Sequence, residues 1–151
     1  ADNIRYGRLD ASNEDIVRVS KLLCADEFIS KLPHGYETIV KERGGGLSQG
    51  QKQLIAFART LLADPKILVL DEATSSIDTS TEQLLQRGIN LLLEGRTSFI
   101  IAHRLSTIKS CTRIMYVDGG QIKESGSHEE LMAKKGYYYD LYMAQYRKDE
   151  T

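Results

Sequence analysis

Residues 67–70, Ile-Leu-Val-Leu, constrain the fold most, because Asp71 and Glu72 follow this apolar run directly. A short continuous run of branched apolar residues predicts a strand that is buried on both faces of a parallel sheet. The two carboxylates then lie where the strand ends, which is where open α/β sheets bind their ligands, and they suit a hydrated metal ion and an attacking water. Taken alone, so short a pattern more often marks only a strand cap and a turn.

A second strand is predicted at residues 97–102, after an amphipathic helix that ends near Gly95. The helix has apolar positions at helical spacing, namely Leu85, Ile89 and Leu92. A strand, helix and strand in this order predict a right-handed crossover and parallel pairing, which brings His103 to the same sheet edge as Asp71. A single histidine after a strand is usually a surface residue, so only this shared edge makes His103 a site candidate.

A glycine-rich segment at residues 44–46 precedes Ser48, which is a plausible N-cap for a helix that continues to Ala63. Asp64 and Pro65 end this helix. Its N-terminus presents free N–H groups and the positive end of the helix dipole, which together suit a phosphate. Glycine and a serine cap also begin many helices that bind no ligand.

Further helices and a hairpin follow from local signals. Ser12 predicts a helix start, with Ile16, Val19 and Leu23 on the buried face. A second short helix is predicted at residues 25–32. Residues 118–120, Asp-Gly-Gly, predict a tight turn between two strands, and Ser127 predicts another helix cap. A final helix carries three apolar residues on one predicted face, namely Tyr138, Leu141 and Tyr142.

The composition is that of an ordinary globular domain or of part of one. The chain has 151 residues, of which 41% are hydrophobic and 27% are charged, and its net charge is −1 at pH 7. The balanced charge gives no bulk field that would attract nucleic acid or an anionic membrane surface. Cys24 and Cys111 are isolated, which favours reduced thiols over a disulfide or a zinc site.

The motifs resemble those of ATP-binding cassette (ABC) proteins. Residues 47–51, Leu-Ser-Gln-Gly-Gln, look like the signature motif, residues 67–72 like Walker B, residues 76–78 like the D-loop, and His103 like the switch histidine. Residues 3–7, Asn-Ile-Arg-Tyr-Gly, are similar to the exporter branch. The resemblance implies an α/β, partial P-loop NTPase (ABC ATPase) fold. Residues 1–64 would form the helical signature subdomain, and residues 65–151 the C-terminal half of the RecA-like parallel-sheet core.

The resemblance also implies roles for residues at the sheet edge. Asp71 would hold Mg²⁺ through its hydration shell, Glu72 would polarise the attacking water, and His103 would contact the γ-phosphate of ATP. Glu72 and His103 are therefore the expected catalytic residues.

Other residues of the family act across a dimer interface. Ser48, Gln49, Gly50 and Gln51 would contact ATP bound to a second nucleotide-binding domain in a head-to-tail dimer, and the D-loop residues Ser76 and Asp78 would cross the same interface. In the exporter branch a transmembrane domain is fused to the cassette, which lies at the cytoplasmic face of the membrane. The apolar runs of this chain are too short to span a bilayer.

The sequence departs from the family pattern in several places, which include the absence of the stacking aromatic and of the Q-loop glutamine. Gln49 stands where glycine is commonest and Leu54 where arginine is frequent, and the sequence GxxxxGK[ST] of the Walker A loop does not occur. We therefore expect a C-terminal portion of a cassette that is inactive alone. A missing P-loop strand would leave an apolar sheet edge, so we also expect a homo-oligomer or a swapped strand.

Two other functions fit some of these motifs. ABC ATPases of nucleic-acid maintenance or translation share the signature and Walker B motifs, but the balanced charge favours a transporter without a nucleic-acid partner. A non-enzymatic regulatory module could bind a complete cassette through its signature face, and the sequence alone does not separate this alternative from an ATPase.

Overall fold

The computed structural model describes residues 1–40, 44–71, 79–101 and 105–149. Glu72, Ser76, Asp78 and His103 lie outside these ranges. The eight α-helices of the described part are α1 Asp2–Arg5, α2 Asn13–Leu22, α3 Asp26–Ile29, α4 Gln49–Ala63, α5 Thr79–Leu93, α6 Leu105–Lys109, α7 His128–Lys134 and α8 Tyr137–Asp149. Its four strands are β1 Ile67–Asp71, β2 Thr97–Ile101, β3 Ile114–Asp118 and β4 Gln121–Gly126. A 3-10 turn covers Gly35–Glu37.

The described residues form two compact units. The first contains α1 to α5 together with β1 as far as Leu70 and β2 as far as Phe99, and the second contains the chain from residue 100 onward together with Asp71. The predicted division into residues 1–64 and 65–151 concerns functional subdomains, and it stays a prediction. No helix in the described ranges is long and apolar enough to cross a lipid bilayer.

Helix α2 illustrates how local sequence and packing agree in the first unit. The Ser12 hydroxyl accepts a hydrogen bond from the Asp15 N–H, as expected for an N-cap. The predicted apolar face is buried in one core with parts of α4 and α5, and it consists of Ile16, Val19 and Leu23. The predicted helix at residues 25–32 is shorter than expected and covers only Asp26–Ile29.

Strands β1 and β2 pair, as predicted. The Thr97 N–H donates to the Lys66 carbonyl over 3.3 Å, and these two residues lie at the N-terminal ends of the strands, so the strands run parallel. The prediction that the strand at residues 67–70 is buried on both faces is wrong, and the strand at residues 97–102 also has an exposed face. Leu68 is buried, whereas Ile67, Val69 and Phe99 are 64, 66 and 56% exposed.

This alternation has a simple cause. Leu68 packs into the core that contains residues of α4 and α5, so one face of the strand pair is covered. Among the described residues, the exposed fractions of Ile67, Val69 and Phe99 show that no layer covers the opposite face. An apolar run shows that a strand is hydrophobic, but it does not show whether other elements cover one face of the strand or both.

The second unit is built on the β3–β4 hairpin. The strands are antiparallel, with Asp118 opposite Gln121, and both turn residues, Gly119 and Gly120, have positive φ angles of 56° and 73°. Such a turn matches the predicted two-residue glycine hairpin. Ser127 caps α7 through a reciprocal pair of hydrogen bonds with Glu130, which confirms the predicted cap.

Helix α8 packs in the second unit through Tyr138 in its first turn and through the partly buried Tyr142 in the next turn. Tyr138 is buried as predicted, but Leu141 is 42% exposed, so that part of the predicted apolar face is wrong. Buried Glu124 accepts a hydrogen bond from the Tyr138 N–H over 2.9 Å, and it lies 3.6 Å from the Lys134 ammonium. This carboxylate satisfies a free N–H at the start of α8. The sequence of β4 gave no signal of this role.

Candidate functional site

The first turn of α4 contains all four residues predicted to contact ATP in trans. Ser48 has the extended conformation of an N-cap, with φ −67° and ψ 164°, and its hydroxyl accepts from the Gln51 N–H over 3.2 Å. In return, Gln51 Oε1 accepts from the Ser48 N–H over 2.9 Å. This reciprocal arrangement is a capping box, whose sequence signal is Ser-x-x-Gln.

The capping box leaves other donors of this turn unused. The N–H groups of Gln49 and Gly50 have no hydrogen-bond partner within the described part of the chain. A hydroxyl has one proton and two lone pairs, so Ser48 can cap the helix and still donate its proton. The turn therefore presents three donors at the positive end of the helix dipole, an arrangement that suits an anionic phosphate oxygen.

The segment before Ser48 is folded back onto α4. Gly44 has φ +73°, and a Cβ at this position would lie 2.7 Å from Lys52 Cε. The Leu47 N–H donates to the Gly44 carbonyl over 3.1 Å. Glycine is favoured at position 44 because the backbone there is left-handed, whereas the flexible end of the Lys52 side chain has room to move away from a Cβ.

Helix α4 is anchored along its length, which fixes the direction in which its first turn points. Leu54, Ala58 and Leu62 are buried in the core of the first unit. The Arg59 guanidinium donates through Nε to the Asn3 carbonyl over 2.8 Å. Leu54, which stands where the family often has arginine, is thus a core residue of this chain.

Asp71 ends β1 and is exposed, as the sequence predicts for the first charged residue after the apolar run. Its carboxylate oxygens are of the type that a hydrated Mg²⁺ ion prefers. The described residues contain no group of three or more side chains able to hold a metal ion by themselves. The predicted partners at this edge, Glu72 and His103, lie outside the described residues, and so do the D-loop residues Ser76 and Asp78.

The structure thus brings together Ser48, Gln49, Gly50 and Gln51, and it places Asp71 at the end of a strand. Sequence reasoning missed the contact between Gly44 and Lys52 and the engagement of the Gln51 side chain by Ser48. The second of these had a signal in the Ser-x-x-Gln spacing. The first had none, because it depends on how the loop folds back.

Comparison with known proteins gives consistent matches. The family model described as "ABC transporter" matches residues 8–75. An uncharacterized ABC transporter ATP-binding protein of Bacillus subtilis, YfiC, is 53% identical over 97% of this chain and 24% of its own length. A fatty acid ABC transporter ATP-binding/permease protein of Mycobacterium bovis is 52% identical over 93% of this chain and 22% of its own length.

A solved structure agrees with these relatives. A bacterial Atm1-family ABC exporter with ATP bound matches with a TM-score of 0.83 and 43% identity, over 95% of this chain and 25% of that one. The chain therefore spans about a quarter of the length of the relatives that it matches. The expected α/β, P-loop NTPase (ABC ATPase) fold is confirmed by these similarities, and the chain belongs to the ABC transporter family, in the exporter group of its ATP-binding domains.

Proposed function

We propose that residues 1–151 supply the signature helix and the Walker B carboxylates of an ABC exporter, which hydrolyses ATP to ADP and phosphate and couples this reaction to export. The observation that carries the proposal is the first turn of α4, where the Ser48 hydroxyl and the N–H groups of Gln49 and Gly50 are available as donors. These donors would bind the γ-phosphate of ATP held by a second nucleotide-binding domain in a head-to-tail dimer.

Asp71 and the next residue in the sequence, Glu72, would act on the nucleotide bound to the same subunit. Asp71 would hold the hydration shell of Mg²⁺, which neutralises phosphate charge when bound. Glu72 would accept a hydrogen bond from the attacking water and align it, and His103 would donate to the γ-phosphate. Ser76 and Asp78 would contact the second domain through the D-loop. Most of the catalysis then comes from positioning and charge stabilisation.

The proposed partner domains are inferred from the names of the similar proteins. Because one relative is named as an ATP-binding/permease protein, we propose that this segment works beside a transmembrane domain, at the cytoplasmic face of the membrane. The transmembrane domain would select the exported substrate. Since the 151 residues contain no GxxxxGK[ST] segment, they need a phosphate-binding loop from elsewhere, and alone they should not turn over ATP.

A graft tests this function directly. The segment of the Bacillus subtilis relative that matches this chain is replaced by residues 1–151, and ATP hydrolysis is measured in membranes. We expect the graft to hydrolyse ATP, Glu72→Gln to abolish turnover, and the chain alone to be inactive. Hydrolysis by the isolated chain that depends on Glu72 would refute the proposed need for another segment, and a graft without turnover would refute the proposed activity.

Ser48→Asp separates phosphate contact from helix capping in the same graft. Aspartate is as good an N-cap as serine, so the thermal stability of the chain should be unchanged or higher. It lacks the hydroxyl proton and adds a negative charge, so turnover should fall by roughly 100-fold, as for the loss of a transition-state donor. Ser48→Ala is the matched variant that also loses the cap, at about 1 kcal/mol of stability. Full activity of Ser48→Asp would contradict a phosphate contact at this residue.

A further inference from the structure

Gln51 differs from its neighbours in the proposed phosphate site, because both its side-chain oxygen and its N–H are bonded to Ser48. Its side-chain oxygen Oε1 accepts from the Ser48 N–H over 2.9 Å, and its own N–H donates to the Ser48 hydroxyl over 3.2 Å. An acceptor oxygen cannot donate to a phosphate. Two groups of Gln51 are thus committed to Ser48, although the family resemblance places this residue among the ATP contacts.

Ser48 is also restrained from its N-terminal side. The Leu47 N–H is bound to the Gly44 carbonyl over 3.1 Å, and Gly44 lies against the aliphatic chain of Lys52. The backbone on both sides of Ser48 is therefore held by contacts that involve the first turn of α4. A donor held in one geometry before its ligand arrives costs less to order than a donor on a free loop.

We infer that Gln51 is a positioning residue, which acts on phosphate recognition through Ser48 rather than by touching ATP. The inference rests on the proposed function, in which Ser48 donates to the γ-phosphate. Gln51 fixes the N-cap conformation of Ser48 and so keeps the single hydroxyl proton available to the phosphate.

Replacement by glutamate separates this role from direct contact. In the described part of the chain, Gln51 Nε2 has no hydrogen-bond partner, so it is the group of the Gln51 side chain that is able to donate to ATP. Glutamate keeps the acceptor oxygen of the capping box but lacks Nε2 and carries a negative charge. If Gln51 touched the phosphate, Gln51→Glu would therefore be more damaging than Gln51→Ala.

The test compares kcat for ATP hydrolysis between the Gln51→Ala and Gln51→Glu variants of the graft. We expect Gln51→Ala to lower kcat for ATP hydrolysis about tenfold with KM for ATP within about threefold, because the nucleotide is held mainly by the opposite domain while the donor is misplaced. Gln51→Glu should recover kcat to within about threefold of the unchanged graft, because it restores the cap. A Gln51→Glu variant as impaired as Gln51→Ala, or more so, overturns the inference.

Amide exchange in the chain itself provides a second readout that needs no ATP. The Ser48 N–H should exchange at least about tenfold faster in Gln51→Ala than in the unchanged chain, and Gln51→Glu should restore its protection. Unchanged exchange in Gln51→Ala overturns the inference. An active graft in which alanine and glutamate are equally harmful overturns the inference alone, whereas an unmodified graft without turnover overturns the proposed function and the inference with it.

Discussion

At the scale of single residues, Tyr36 shows how a contact changes the chemistry of a side chain. Partial burial raises the pKa of the Tyr36 hydroxyl to about 12, and the hydrogen bond that it donates to Asp26 over 2.8 Å acts in the same direction. The protonated phenol is therefore favoured in the folded chain. An unfolded tyrosine has a pKa of about 10.

This shift predicts a loss of stability in alkali. Because the folded pKa is the higher one, the contribution of Tyr36 is complete below about pH 10 and is lost as the pH rises towards about 12. Thermal midpoints measured between these pH values should fall more steeply for the unchanged chain than for Tyr36→Phe. Burial also raises the pKa of Tyr138, so some slope should remain in Tyr36→Phe. Equal slopes in the two proteins would contradict the assignment to Tyr36.

At the scale of elements, the contact between α4 and α5 depends on a glycine inside a helix. A Cβ at Gly88 would lie 2.9 Å from Phe57 Cδ2 and 3.2 Å from Leu23 Cδ2. Both neighbours are buried in the core of the first unit, so they have little room to move. The close approach of the two helices thus explains a residue that lowers the intrinsic helix propensity of α5.

Gly88→Ala tests this packing. Alanine should stabilise an isolated helix by about 1 kcal/mol, but overpacking at a filled contact costs about 1–3 kcal/mol. We therefore expect a lower urea midpoint in equilibrium unfolding. Gln83→Ala, at an exposed position of the same helix, is the control and should leave the midpoint nearly unchanged. A higher midpoint for Gly88→Ala would mean that the contact is looser than the distances indicate.

At the scale of the whole molecule, the apolar face of β1 and β2 is exposed and has no packing partner among the described residues. Ile67, Val69 and Phe99 together form an apolar surface on a strand pair, and such surfaces promote association. We expect the isolated chain to self-associate at micromolar concentration, by face-to-face contact or by a swapped strand.

Val69→Lys should shift the chain towards a monomer in light scattering, because a charge on this face is costly to bury. Ile39→Lys is the matched control, since Ile39 is 88% exposed and lies outside the two strands. If the unchanged chain is monomeric across the micromolar range, the predicted association is wrong. If both lysine variants dissociate the chain equally, the association does not depend on the sheet face.

By itself, the sequence determined the local elements and the family. The helix starts at Ser12, Ser48 and Ser127 and the turn at Gly119 and Gly120 depend on short-range caps and φ preferences, which a few neighbouring residues specify. The order of the motifs determined the family for a similar reason, because each motif is a short run with its own spacing.

Only the tertiary structure decided which surfaces are covered and which side chains are engaged. It left Val69 exposed beside buried Leu68, and it placed Glu124 beside the first turn of α8. The physical reason is that burial and hydrogen bonding depend on elements that lie far apart in the chain. A hydrophobic pattern or a short motif records the preference of a residue, but not the layer or partner that satisfies it.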